Sequence, residues 1–345
     1  MFSVSCVRGF AAAAFVIVCQ SSGALAASGG VINLQAENDF FADAGDRHYS
    51  NGIRISWLTP PNTRPERLID TARRLPFFSP GTNLRFSVGG GQNIYTPEDI
   101  NLRNPARNDR PYAGWLYGSV GLVSEADACS GGESENCLLE NLELDFGIVG
   151  PAAMGRQVQR GWHSMFNIDK PEGWSHQLKN EPGVVLYYER KHRAKVRDLA
   201  SFLQFDFTPH YGGALGNVFT YGAAGATVRL GDGLPRDYGP PRIRPSLPGS
   251  GFFEPNYGQE NGTIAWYVFA GAEARAVARN IFLDGNTFAN SRSVDRKVAV
   301  GDLLGGLVLT VSQVRMAFTY VMRSKEFDGQ DKPDQFGAVS LSYAY

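Results

Sequence analysis

Cysteine is scarce in this chain: four occur among 345 residues, and Cys6 and Cys19 fall in an N-terminal stretch that reads as a leader. No paired thiolates stand at metal-ligand spacing, and there is no His-Glu-x-x-His, so the common zinc-hydrolase patterns are excluded. Neither Ser50 nor Ser164 sits in a Gly-x-Ser-x-Gly elbow, which argues against a serine nucleophile. Beyond the leader, no apolar run approaches the about 20 residues that a spanning helix needs. Neither sign of charge dominates: the net charge is −1. Nucleic acid and bulk electrostatic partners are therefore not expected.

What is present begins with the leader. Arg8 supplies a positive start, residues 9–18 are apolar, and Ala24-Leu25-Ala26 fits a small-x-small cleavage site. Residues 1–26 thus read as a signal peptide and 27–345 as one exported domain. In an oxidising compartment, Cys129 and Cys137, which flank a polar loop, are expected to form a disulfide. Glycine (40) and aromatics (22 Phe, 14 Tyr, 5 Trp) are plentiful, as a twisted wall with aromatic girdles requires.

The dominant pattern is alternation with period two. Val314, Met316, Phe318, Tyr320 and Met322 alternate with Arg315, Ala317, Thr319, Val321 and Arg323. Val339, Leu341, Tyr343 and Tyr345 share one face of a closing segment. Apolar residues on one face and arginines on the other suit a barrel wall between lipid and a wet interior. Twelve strands are expected, at about 30–38, 49–58, 83–94, 111–124, 138–149, 183–191, 199–210, 217–230, 263–277, 297–311, 313–325 and 335–345. The fold class is therefore all-β, a twelve-stranded antiparallel outer-membrane β-barrel, with a short helix over 156–166 in an outer loop. The connections around 39–48, 95–110 and 150–182 then share the outer rim. Those at 59–82 and 231–262 fall on the periplasmic side, the second as irregular loop.

Three polar islands lie on or beside that outer rim. Gln159 and His163 are four apart and share a helical face. A histidine so placed serves as a base near neutral pH, or is simply a surface histidine. In a regular first strand Asp39 points inward and Asn38 outward, so both serve one site only where the strand ends or bulges. Ser50 has the phase of Arg54 and Ser56 in the second strand. A carboxylate, an amide oxygen and a hydroxyl here suit Ca²⁺, or are ordinary turn residues. A histidine-activated water beside a bound cation that polarises an ester carbonyl needs only these groups.

Several ordered segments carry a family resemblance: Glu37-Asn38-Asp39, Asp46-Arg47-His48-Tyr49-Ser50-Asn51-Gly52, Gln92-Asn93-Ile94-Tyr95-Thr96-Pro97, and Asp109-Arg110-Pro111-Tyr112-Ala113-Gly114. Val149-Gly150-Pro151 leading to Gln159 and His163, Gly173-Trp174 with Gln177 and Glu181, Phe269–Glu273 and Ser324–Phe327 complete the set. In these the chain resembles the LpxR-type lipid A 3′-O-deacylases of Gram-negative outer membranes. The resemblance implies a twelve-stranded barrel that removes the 3′-linked acyloxyacyl group of lipid A with Ca²⁺; a monomer is expected. It implies His163 as base, Gln159 as its support, Asn38 and Asp39 at the cation, Ser50 in place of the family's usual threonine, and Asp169 where a glutamate can occur. A family lysine is matched by Leu102, leaving Arg103 or Arg107 to meet the substrate's phosphate. The runner-up readings are a calcium-dependent outer-membrane phospholipase and a non-catalytic pore or receptor.

Overall fold

The computed structural model describes residues 29–39, 48–61, 70, 74, 83–126, 136–166, 170–234, 236–240, 242, 251–254 and 264–345. Twelve long strands dominate them: β1 (Val31–Asn38), β2 (His48–Leu58), β3 (Asn83–Thr96), β4 (Ala113–Glu125), β5 (Asn136–Val149) and β6 (Glu181–Ala194). They continue as β7 (Leu203–Gly216), β8 (Phe219–Asp232), β9 (Ile264–Asn280), β10 (Ala299–Val311), β11 (Val314–Arg323) and β12 (Asp334–Ala344). Each pairs antiparallel with its successor, and β12 returns to pair with β1. The sheet is a closed barrel, as its alternation predicts, and closure leaves no unpaired edge among these strands.

The seam is made by the first and last strands. Val31 pairs with Ala344 and Asn38 with Gly337. Tyr345 N–H donates to the Gly30 carbonyl at 3.0 Å, and Trp57 Nε1 donates to the Tyr345 hydroxyl at 2.6 Å. The outward face carries Ile32, Leu34, Ile55, Phe146, Leu307 and Phe318, all exposed. The inward face carries Arg54, Glu143, Asp206, Arg229, Arg275, Asp302, Arg315 and Arg323, all buried. That inversion of the soluble pattern is the one a lipid-facing wall requires.

The interior charges are paired. Arg54 grips both Glu143 oxygens at 2.9 Å, and Arg275 and Arg323 each meet both oxygens of Asp302. The 231–262 connection, expected as irregular periplasmic loop, is irregular in part but does not stay outside. Its described residues enter the lumen, where Arg236–Asp237 pairs with Phe253–Glu254. Asp237 there accepts from Arg229, from Arg315 at 3.0 Å and from the Tyr267 hydroxyl at 3.0 Å. Tyr238 reaches Glu125 at 2.9 Å, and Phe252 and Phe253 lie under the guanidiniums of Arg85 and Arg315. The physical reason is the lumen itself: a ring of arginines attracts a carboxylate and stacks on aromatic faces. At the opposite end, the short helix α2 (Ile281–Asp284) brings Phe282 onto Tyr95, ring centroids 4.0 Å apart.

The seventh strand is the one displaced expectation. Residues Arg197–Ala200 fold back on β7 as a short extra strand, so β7 begins at Leu203 rather than 199. The signal peptide and Cys129 lie outside the described residues, as does most of 59–82. Two outcomes follow from the filled lumen. The intact barrel in a planar bilayer should pass no steady current, and a stable open conductance would show the lumen is not blocked. Asp237→Ala, which strips two buried guanidiniums of a carboxylate, should cost about 3–5 kcal/mol. Its heat-induced gel shift would then come at lower temperature than wild type.

Candidate active site

The site begins with a slip in register. Tyr49 pairs with Tyr95, but the next pair is Asn51 with Ile94, so Ser50 is an extra residue in β2. Such a bulge turns its two residues to one side of the sheet. Asn51 is on the outward face, because it stands opposite Asn38 of β1, the neighbour of outward Ala36 and Leu34 in the alternation. Ser50 is therefore not inward with Arg54, as regular phasing predicts. Its Oγ lies 2.6 Å from the Thr96 Oγ1, on the outward side of β3. The strand-end condition for Asn38 and Asp39 is met: β1 stops at Asn38 and Asp39 starts a turn.

Asn38, Asn51, Ile94 and Gly114 are successive partners across β1, β2, β3 and β4, so they form one outward row. The row below it, toward the middle of the wall, holds Ile53 and Leu116 and is open, at 39 and 40% exposure. The upper row is covered: Asn38 is 6% and Ile94 1% exposed. Ser50, Thr96 and Asp39 are buried too. Asn51 Oδ1 is buried without a hydrogen-bond partner.

The cover includes helix α1 (Gly155–Phe166), which packs on the outer face of β3 and β4. The approach depends on glycine. A Cβ on Gly114 would sit 3.1 Å from Ala153 Cβ, and one on Gly155 2.7 Å from the Trp174 ring. Gly150, at φ 103°, makes the turn that turns the chain out of β5 toward that layer. Gln92 Nε2 donates to the Ala153 carbonyl at 2.6 Å, holding the entry to α1 against β3. Trp174 packs on Tyr112 and Ile94, and its Nε1 donates to Gln159 Oε1 at 2.8 Å. Gly155, Gln159 and His163 recur every fourth residue and are buried, so they form the face of α1 turned to the wall.

The rim around this layer is tied by charge. His48, at φ 61°, places Nδ1 2.6 Å from Asp334 and Nε2 3.7 Å from Asp109. Arg110 meets Glu326 at 2.7 Å. Burial raises the Glu326 carboxyl, but Arg110, Arg323 and Arg275 outweigh it and hold it down at about 2. That contribution is present above the ordinary value of 4.5 and is lost only as pH falls toward 2.

The sequence-designated residues divide cleanly. Asn38 and Ser50 come together on the outer wall with Asp39 at the end of β1, and Gln159 and His163 share the wall-facing side of α1. Arg103 is exposed and paired with Glu172 at 2.5 Å, and Arg107 is exposed on the same connection. Asp169, Asp46 and Arg47 lie outside the described residues. Sequence reasoning named Asn51, Thr96 and Trp174 only within their segments and gave none of them a role of its own. The row of cross-strand partners would have shown Asn51, had the bulge been placed.

A polar row on the outward face, with a loop helix packed on the adjoining strands of a closed barrel, defines an outer-membrane β-barrel with a candidate site on its outer wall. The chain matches the family described as outer membrane protein LpxR over residues 9–345, and it belongs to that family. Its fold is similar to that of LpxR from Salmonella typhimurium, with a TM-score of 0.70 at 20% identity, covering 91% of this chain and 100% of that one. The β domain of the Bordetella autotransporter BrkA (TM-score 0.42, 8% identity, 92% of this chain and 99% of that one) is a more remote barrel. No curated protein sequence matches the chain.

Two substitutions test the packing of α1. Gly155→Val should push α1 off Trp174 and loosen it from β3 and β4 while the barrel still folds. Limited proteolysis would then cut within 155–166 far faster than in wild type, and unchanged protection would disprove the packing. Trp174→Phe should keep the stacking on Tyr112 but remove the indole donor to Gln159.

Proposed function

We propose that the chain is an ester hydrolase of the outer membrane that acts on lipid A, removing the 3′-linked acyloxyacyl group. Family membership supports the substrate class, and one observation carries the chemistry: the covered polar row on the outward face. A lipid-facing wall has no structural use for Asn38, Asn51, Ser50 and Thr96 in adjoining positions, because polar groups there cost free energy unless partnered. Dimensions support convergence of the two banks. From Gly114 to Asn38 the row crosses three strand spacings of about 4.8 Å, about 14 Å in all. From Gly155, over Gly114, to His163 the helix advances about 12 Å.

In this reading His163 accepts a proton from water as that water attacks the ester carbonyl carbon, and Gln159, itself fixed by Trp174, keeps the helix face in place. The proton then passes to the departing sugar oxygen, leaving a free acid and a hydroxyl. The Ser50–Thr96 hydroxyl pair offers a donor near the reacting carbonyl. The donor set fits Ca²⁺: one carboxylate, Asp39, with the amide oxygens of Asn38 and Asn51, the last buried and unpartnered. Asp39, Asn38 and Asn51 would hold the ion, which when bound supplies positive charge for the developing oxyanion. Oxygen donors alone make this a hard set, which favours Ca²⁺ over a transition metal. Arg103, engaged by Glu172, is a weaker candidate for the substrate's phosphate than its position suggests.

Lipid A from cells expressing wild type or His163→Ala, with and without a calcium chelator, separates the readings by mass spectrometry. The expected result is loss of one acyloxyacyl mass in wild type alone, dependent on Ca²⁺. The variant should be slower by about 10²–10⁴. Lysophospholipid would indicate a phospholipase instead, and unaltered lipids throughout would remove the hydrolase reading. Wild-type activity should fall as acid protonates the imidazole.

A further inference from the structure

Helix α1 has three distinct sides. Gly155, Gln159 and His163 face the wall. On one flank Val158 and Met165 are apolar and exposed, at 37 and 75%. At 100° per residue, Arg156 and Arg160 fall together on the opposite flank, beside His163. Arg156 is exposed, whereas Arg160 is half-buried and its Nε is buried without a hydrogen-bond partner.

A helix with one apolar and one basic flank lies along a membrane interface, its apolar side in hydrocarbon and its basic side among phosphates. Laid so against the barrel wall, α1 sets His163 between the two levels, at the depth of the acyl esters. The other arginines described nearby are placed differently. Arg103 is paired with Glu172, and Arg292 donates to the Pro105 carbonyl and Asn104 Oδ1 at 2.7 and 2.6 Å. Arg110 also has unpartnered nitrogens but is fully buried beside Glu326 and the Tyr95 and Phe327 rings, and Arg107 is exposed on the connection before β4. Arg160 is one turn from His163 and has an unused, desolvated donor. A guanidinium fork matches two oxygens of a phosphate monoester, and a buried unpaired donor gains most from acquiring such a partner.

We infer that Arg160 binds a phosphate monoester on the headgroup of the amphiphile whose ester faces His163, with Arg156 contributing at longer range. This rests on the hydrolase reading and assigns the headgroup contact to the catalytic helix rather than to the loop carrying Arg103 and Arg107. One contact would then fix both the depth of the substrate and the ester presented to the imidazole.

The test uses the full-length protein in detergent micelles at fixed Ca²⁺, with lipid A carrying its phosphates and the same lipid A after enzymatic dephosphorylation. Wild type should show a lower KM for the phosphorylated form. In Arg160→Gln that preference should collapse, with KM on the phosphorylated lipid rising about tenfold to hundredfold, the range for a lost charge-assisted hydrogen bond. Arg160→Lys should restore part of it, and kcat should move less than KM. An unchanged KM in Arg160→Gln would overturn the inference while leaving the hydrolase reading intact. Nanodisc binding, with either lipid, reads the same contact without turnover. If wild type cleaves neither lipid, the hydrolase reading falls, and equal nanodisc binding by wild type and Arg160→Gln would then overturn the contact as well. Inorganic phosphate that competes at concentrations matching the lipid's own affinity would indicate a free-anion site and overturn the lipid assignment.

Discussion

One extra residue in β2 decides which polar groups reach the outer face of the wall. In a closed antiparallel wall each side chain has two directions, into the lumen or out to lipid, and strict alternation fixes the choice for a whole strand. The bulge between Tyr49 and Asn51 breaks that rule at Ser50 and lets a hydroxyl join Asn38, Asn51 and Thr96 on the outside. Polar groups on a lipid face need cover, and beside this row glycines at 114 and 155 let α1 pack closely on β3 and β4.

The lumen obeys the opposite demand. Many of its arginines and carboxylates are paired, and the connection after β8 is drawn in to join them through Asp237. Site and lumen therefore lie on different sides of one sheet. The interior charges bind strand to strand across the lumen, and the outer row lies on the lipid side. This separation lets the barrel be filled without obstructing access from the membrane.

Much of the fold was legible because alternation is a local signal. Arg315 to Met322 declares both faces of β11 without any knowledge of neighbours. The helix carrying Gln159 and His163 was equally plain, ending at Phe166 as expected and beginning one residue earlier, at Gly155. The misses share a cause, which is dependence on distant partners. Ser50 was phased inward because a bulge is defined by the opposite strand, and nothing within 48–58 announces it. The 231–262 segment has no periodicity, so its proline-rich composition reads as loop whether it lies outside or is held by Arg229 and Arg315. Trp174 is eleven residues beyond His163, and only tertiary packing turns it toward Gln159.

The pairing of β1 with β12 also bears on how the molecule is made. The first and last strands can meet only once the sheet between them has formed, and Tyr345 takes part in the join through Trp57 and Gly30. Until they pair, the sheet is an open ribbon with two bare hydrogen-bonding borders, which bilayer hydrocarbon does not tolerate. Insertion must therefore wait for that pairing or proceed against a host surface that lends those borders a temporary partner. A lesion in β12 would arrest assembly rather than weaken a finished product.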